Sequence, residues 1–410
     1  MRFLLTVVFA LFVTAHAVLA QDWAQWRGPN RDGVVPAAQA PAEWPAAFGP
    51  VWRVEVGEGY SSPVVAGAQV FVHSRKDPQE IITAIDLASG KVLWQQQYAA
   101  AYQKNQYAVR MAKGPNATPL VAGSRVFTLG ATGILTAWDA AAGKRLWQND
   151  YSKQVDFSKL FCGTAASPVL AHGLVIVQVG SDVHGGQMIA LDPATGAAKW
   201  EWRGPGPGYA SPVVISVSGT SQIVTLTNRS IVGLDARTGR ELWTSPFADD
   251  WHENIVTPVW TGTHLVVSGT RQGTHAYSLA PAADGWQAKQ VWKNADVSMY
   301  MSTPVAGDGL IYGMSDKRKG YFVALDEKTG AVKWATEGRE GDFASVLLTP
   351  RHVVYLTNGA DLVVARRGGA GFSLEKKYDV GSNEIWAVPV WIGRDVVIRD
   401  AAGVSRLAPK

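Results

Sequence analysis

The stretch Ala190-Leu-Asp192-Pro-Ala-Thr195-Gly196-Ala-Ala-Lys-Trp200 decides the fold, because the chain repeats it. Ala84, Asp86, Gly90 and Trp94 keep the same spacing, as do Ala137, Asp139, Gly143 and Trp147, and again Ala324, Asp326, Gly330 and Trp334. A further copy runs from Gly233 through Asp235 and Gly239 to Trp243, with Gly in place of the leading Ala. The aspartates step by 53, 53 and 43 residues and then by 91. The long step is about two repeats of the ~40–50-residue kind found in propellers. A worn copy fills it: His275 to Leu279 leads to Trp292, with the turn rewritten as Pro281-Ala-Ala-Asp-Gly285.

Each copy reads as strand, tight turn, strand. Asp bonds its own nearby backbone, and Gly takes the positive φ that the turn needs. The small residue at the start and the indole at the end predict a dock, in which the Trp of one unit lies over the small Ala of its neighbour while its N–H finds a carbonyl. The docking set is Trp52, Ala84, Trp94, Ala137, Trp147, Ala190, Trp200, Trp243, Trp292, Ala324 and Trp334.

A second mark supplies the count. Ser62-Pro63, Thr118-Pro119, Ser167-Pro168, Ser211-Pro212, Thr257-Pro258, Thr303-Pro304, Thr349-Pro350 and Val388-Pro389 each precede an apolar run. Pro is tolerated at the first residue of a strand, where its missing N–H breaks no ladder bond. Eight marks predict eight units of four strands, A to D. The expected fold is all-β: an eight-bladed β-propeller of four-stranded antiparallel blades over residues 51–410. The last unit ends at Val404 to Leu407 with no D strand of its own, so Val51 to Val56 should complete it and close the ring. Closure leaves no broad sheet edge exposed.

Residues 1–20 read as a signal peptide: Arg2, then an apolar run too short to span a bilayer, then Val18-Leu-Ala20 as a small-x-small cleavage site. No Cys stands at that point, so no lipid anchor is expected, and no later stretch is long and apolar enough to cross a membrane. The expectation is a soluble, monomeric protein of the periplasm or beyond. Residues 21–50 form an extension, in which Trp23 and Trp26 are expected to pack on the outside or base of the ring. A net charge of +4 is too small to argue for nucleic acid. Cys162 is the only cysteine, which rules out an internal disulfide and any Cys-rich zinc cluster. The histidines are scattered, no Gly-x-Ser-x-Gly elbow occurs, and no P-loop follows the Gly204-Pro-Gly-Pro-Gly208 connector.

The repeat resembles the tryptophan-docking motif of the pyrroloquinoline-quinone (PQQ)-type eight-bladed propellers, over nearly the whole chain from Trp52. Trp23 to Gly33 is similar to the opening of exported bacterial PQQ-like repeat proteins. The resemblance implies one of two roles. Quinoprotein dehydrogenases use PQQ and calcium, and carry an adjacent Cys pair that Phe161-Cys162-Gly163 lacks. The propeller subunit of the outer-membrane barrel-assembly machine is a lipid-anchored, non-catalytic scaffold.

Calcium would need several converging oxygens. Glu253, Asn254, Asp342 and Glu384 all precede A strands, but each reads more readily as a solvated loop residue. The reading is a non-catalytic binding scaffold in the cell envelope, with no catalytic residue, metal or cofactor nominated. The alternatives are a PQQ- and calcium-dependent alcohol or sugar dehydrogenase, and a small-molecule or polysaccharide module. The D–A and B–C loops share one face, and loops on a rigid frame carry function. There Arg229, Arg271 and Arg318, with Glu253, Asn254, Tyr300, Asp342, Glu384 and Trp386, predict a funnel mouth for a peptide segment of an envelope protein or an anionic small molecule.

Overall fold

The computed structural model describes residues 22–108, 112–156, 160–248 and 251–410, so the leader-like residues 1–20 lie outside it. It contains eight four-stranded antiparallel sheets, seven of them meanders of consecutive strands. The first blade shows the plan: Val64–Ala66 (A), Gln69–Lys76 (B), Gln79–Asp86 (C) and Val92–Ala99 (D). B and C strands are buried along most of their length because both faces are covered by neighbouring blades. The D strand is exposed along most of its length, with Trp94 half-buried and Tyr98 buried.

Closure follows the sequence expectation. Phe48–Glu55 pairs antiparallel with Gly403–Pro409, Trp52 opposite Arg406, and forms the outer edge of the sheet that also holds Val390–Ile392 and Asp395–Arg399. The strand begins at Phe48, inside the segment read as extension.

The tryptophans join blades through the turn, not through the Ala. Trp52 Nε1 donates to Leu87 O at 2.9 Å, Trp94 to Ala140 O at 3.0 Å, Trp147 to Pro193 O at 3.1 Å, Trp292 to Glu327 O at 2.8 Å and Trp334 to Gly368 O at 2.8 Å. Under the rings of Trp52, Trp94, Trp147, Trp200 and Trp292 lie Gly90, Gly143, Gly196, Gly239 and Gly330 of the next blade, where a Cβ would come within 2.4–2.7 Å of the indole. The turn glycine therefore serves twice, as the residue with positive φ and as the flat seat. Ala84, Ala137, Ala190 and Ala324 instead stand opposite the Trp of their own blade, as cross-strand partners. The expectation that the ring covers the neighbour's Ala is corrected accordingly.

The Ser/Thr marks have a physical cause that the Pro alone did not show. Ser62 N–H donates to Thr118 Oγ1 at 3.0 Å, Thr118 to Ser167 Oγ at 3.0 Å, Ser167 to Ser211 Oγ at 2.9 Å, Ser211 to Thr257 Oγ1 at 3.1 Å and Thr257 to Thr303 Oγ1 at 3.3 Å. Val388 N–H closes the circle on Ser62 Oγ at 2.8 Å. Each hydroxyl thus pairs the innermost N–H of one blade with the next, where no ladder partner exists. One mark was misplaced. The A strand of the seventh blade is Ala344–Leu348, so Thr349-Pro350 lies in the A–B turn, and Ser345 holds the belt position. There the belt changes form: Ala344 N–H uses Ser302 Oγ at 3.0 Å and Ser345 Oγ reaches Ala387 O at 3.4 Å.

The extension closes the base. Trp23 exchanges backbone bonds with Val65, and Val35 and Gly33 bond Leu348. Between them, Arg27 donates to Thr303 O at 2.8 Å and Pro304 O at 2.6 Å, and Arg31 to Pro168 O at 2.8 Å and Ser167 O at 3.2 Å. The segment therefore spans the axis from the third blade to the sixth. Trp23 is fully buried, as expected for packing at the base.

Candidate functional site

The D–A connections lead into the innermost strands, so they bring side chains to the axis. Side chains alternate along a strand, and the residue two before each belt position faces the same way as the belt. Those residues are Tyr60, Asn116, Ala165, Tyr209, Ile255, Met301, Phe343 and Trp386, and all eight line one cavity of about 760 Å³. Below them the belt residues Ser62, Ser167, Ser211, Thr257 and Thr303 form the next tier, and Trp26 and Arg27 of the extension form the floor. The funnel is blind.

Its wall is aromatic. Tyr60 and Trp386 have ring centroids 5.4 Å apart, and Trp386 stacks on Phe343 at 5.1 Å. Tyr107 meets Phe161 edge-on at 6.2 Å. Tyr107 and Trp251 are 80% and 57% exposed, which makes them projecting apolar features of the rim. Burial raises the phenol pKa of Tyr60, which accepts Ala112 N–H at 2.9 Å, and burial pushes the Cys162 thiol up to about 11, so that thiol is protonated at neutral pH. Glu253 is the only carboxylate among the described lining residues, and the Tyr300 hydroxyl donates to it.

The loop that carries Tyr107 is held from behind by Arg75 at the end of the first B strand. Its guanidinium donates to Ala100 O at 2.6 Å and lies 5.6 Å from the Tyr102 ring. Asp77 joins Arg75 to Lys113 at the far end of the same loop.

Of the predicted site residues, Glu253, Tyr300 and Trp386 meet in this wall. Arg229, Arg271 and Arg318 do not. They sit exposed on B–C turns, with Arg318 over the Tyr321 ring at 5.1 Å. A B–C turn lies one to two strand spacings, about 5–10 Å, farther from the axis than the A strand. Asp342 and Glu384 are exposed and outside the lining. Asn254 is buried as a clamp, its amide donating to Thr227 O and Phe247 O, both at 2.7 Å. Sequence reasoning missed Phe343, Met301 and Ile255 as wall residues, and Trp26 and Arg27 as floor. The first three were within reach by counting two back from each belt residue.

Calcium takes about six to eight oxygens, two or more of them carboxylate in a tight site. Among the described residues no three His, Cys, Asp or Glu side chains converge to hold a metal ion. With one carboxylate in the wall and one cysteine in the chain, the funnel does not fit a calcium–quinone pair capped by a disulfide. Among the described residues no helix is long and apolar enough to cross a membrane.

By sequence, the chain is 25% identical over 302 residues to outer membrane protein assembly factor BamB of Yersinia pestis, covering 70% of this chain and 72% of that one. By structure, it resembles quinohemoprotein alcohol dehydrogenase from Comamonas testosteroni, with a TM-score of 0.68 and 16% identity over 98% of this chain and 83% of that one. BamB from Moraxella catarrhalis gives a TM-score of 0.61 and 14% identity over 88% and 100%. At these identities the two structures speak to fold alone. A family model described as outer membrane protein assembly factor BamB matches residues 46–112 and 78–336. On that match, the chain, a PQQ-like eight-bladed propeller, belongs to the BamB family.

Proposed function

We propose that this chain is an exported, non-catalytic scaffold of the cell envelope that holds a polypeptide segment of an envelope protein at the mouth of its funnel. The observation that carries this reading is the form of the site: a blind, aromatic-walled cavity with exposed Tyr107 and Trp251 on its rim, whose described lining holds Glu253 as its one carboxylate and no group of side chains placed to hold a metal ion. Exposed aromatics around a pre-formed pocket are the groups that dominate protein interfaces. Membership of a family described as an outer membrane assembly factor supports the same role, and the leader-like residues 1–20 support export.

A photo-crosslinking residue placed at Trp251 should give discrete adducts with envelope proteins. The same residue at Lys144, on a C–D turn of the opposite face, should give none. Adducts from Lys144 alone would place the interface on the wrong side. Titration with PQQ and calcium should produce no bound quinone absorbance, and dye-linked alcohol oxidation by the loaded protein would overturn the non-catalytic reading.

A further inference from the structure

We infer that the outer edge of the first blade pairs with the same edge of a second copy of this chain, so that two four-stranded blades join into one antiparallel sheet. Each blade ends outward on its D strand, and a strand in that place presents unpaired N–H and C=O groups along one side. Proteins guard such edges with charge, above all lysine, with proline and with bulges. Among the eight outer strands, Val92–Ala99 alone carries no charged residue, and it has no proline either. Leu374–Asp379, by contrast, has four charges in six residues. The bulge at Leu93 recurs at the matching place in all eight outer strands, so it gives this edge no special protection. It leaves Trp94 to Ala99 as a regular run.

The edge is open. Gln95, Gln96, Gln97 and Ala99 are exposed, and among the described residues no strand or bridge lies outside Val92–Ala99. It stands on the circumference of the ring and not at the axis.

A second copy suits this edge because the run reads alike in both directions. Trp94-Gln95-Gln96-Gln97-Tyr98 is three glutamines between two aromatic residues. In an antiparallel pair about a two-fold axis at Gln96, Gln96 faces its own copy, Gln95 faces Gln97 and Trp94 faces Tyr98. Opposed residues then share the same place in the alternation of the ladder. No charge meets a like charge, and the glutamine amides both donate and accept. The same operation fails on other blades. About its centre, Ala198–Gly204 would set Glu201 against itself and Lys199 against Arg203. Like charges directly opposite are destabilising. An edge of about 27 Å is a small contact beside the ~1,200–2,000 Å² of a standard interface, so the dimer should be reversible.

The test uses the full mature protein in analytical ultracentrifugation from about 1 μM to about 1 mM, the range of a weak association. The parent should pass reversibly from monomer to dimer. Gln96→Lys sets two ammonium groups against each other at the axis. It should raise the dissociation constant at least ~10-fold and, at an exposed position, leave the melting temperature unchanged. Gln287→Lys, equally exposed on the outer strand of the fifth blade, should leave the dimer intact. A parent that stays monomeric throughout, a dimer indifferent to Gln96→Lys, or a dimer lost with Gln287→Lys overturns the inference. So does a foreign peptide that co-purifies with a monomeric parent and is released by Gln96→Lys, since the edge would then take another protein's strand. Crosslinks from Trp251 read the funnel mouth separately, so loss of the dimer leaves the scaffold reading standing.

Discussion

The indole of Trp243 lies over Gly233 of its own blade, not over a turn glycine of the next. Its Nε1 donates to Gln222 Oε1 at 2.8 Å, and a Cβ at Gly233 would stand 2.2 Å from Cε2 of the ring. The cause is in the fifth blade. Its C and D strands, Gly273–Ala282 and Gly285–Asn294, run on as a long hairpin, so no Asp-x-x-Thr-Gly turn is there to seat the ring. Trp286 and Ala288 of that hairpin pack against the Trp243 cluster instead. The Gly in place of Ala and the rewritten turn are one adjustment seen at two places.

Gly233→Ala should therefore destabilise the protein by about 1–3 kcal/mol through overpacking. In a Trp243→Leu background the same change should be close to neutral, because the colliding ring is gone. Urea unfolding of the two singles and the double measures the coupling. Additive effects would show that the clash is not with Trp243.

Trp52 carries the closure of the ring. It buries its indole over Gly90 and bonds Leu87 O, joining the last blade to the first. Trp52→Ala should cost about 3–5 kcal/mol as a large-to-small change in a packed site. Trp52→Phe, which keeps most of the ring and loses the N–H bond, should cost nearer 1 kcal/mol from the bond. Denaturant midpoints test both. A Trp52→Ala protein as stable as its parent would mean that closure does not depend on this dock.

The propeller was legible because its code is local. Asp86, Gly90 and Trp94 lie within one hairpin, and turn chemistry plus one large ring announce themselves at any distance from the axis. Thr349-Pro350 misled for the same reason. The dipeptide looks alike in an A–B turn and at a strand start, while Ser345, followed by Val346, gives no signal of its place in the belt. The aromatic wall was half legible, through Tyr300 and Trp386. The arginines were not, since Arg229, Arg271 and Arg318 share a face with the funnel but not its radius. Radius depends on the order of strands within a sheet, which no single loop encodes. The floor was hidden for a similar reason: Arg27 and Thr303 meet only once the ring exists.

The base closure is testable through its two arginines. Arg27 and Arg31 each hold a pair of adjacent carbonyls, in the sixth and third blades, and burial lowers their pKa to about 10 and about 9, which leaves both protonated at neutral pH. Replacing both by Met should free the 22–35 segment and expose Trp23 and Trp26 to chymotrypsin. Each loss should cost on the order of 1.5–3 kcal/mol, the range for hydrogen bonds to a charged group. Lysine at either position should rescue little, because a point-like ammonium does not span two carbonyls as the planar fork does. Unchanged protease resistance in the double variant would mean that the backbone bonds to Val65 and Leu348 suffice.

Acid sensitivity should reside in part at Asp400. Burial opposes ionisation of its carboxyl, but the Arg53 guanidinium at 2.7 Å, the N–H groups of Ala402 and Gly403 and the Asn383 amide outweigh it and hold the pKa at about 2. The ordinary value in an unfolded chain is about 3.9. A carboxyl whose folded pKa lies below its unfolded one stabilises the fold above the unfolded value, and that contribution fades as pH falls from about 4 to about 2. Arg53 is on the N-terminal strand and Asp400 on the last hairpin, so the pair clasps the same closure as Trp52. Asp400→Asn keeps an oxygen for the two turn N–H groups but loses the charge on Arg53. It should cost about 1–2 kcal/mol at pH 7, a figure reduced for the partial exposure of Arg53. The gap between parent and variant should close between pH 4 and pH 2 when stability is followed by urea unfolding across that range. A gap that stays constant with pH would assign the loss to packing in the turn and not to the ion pair.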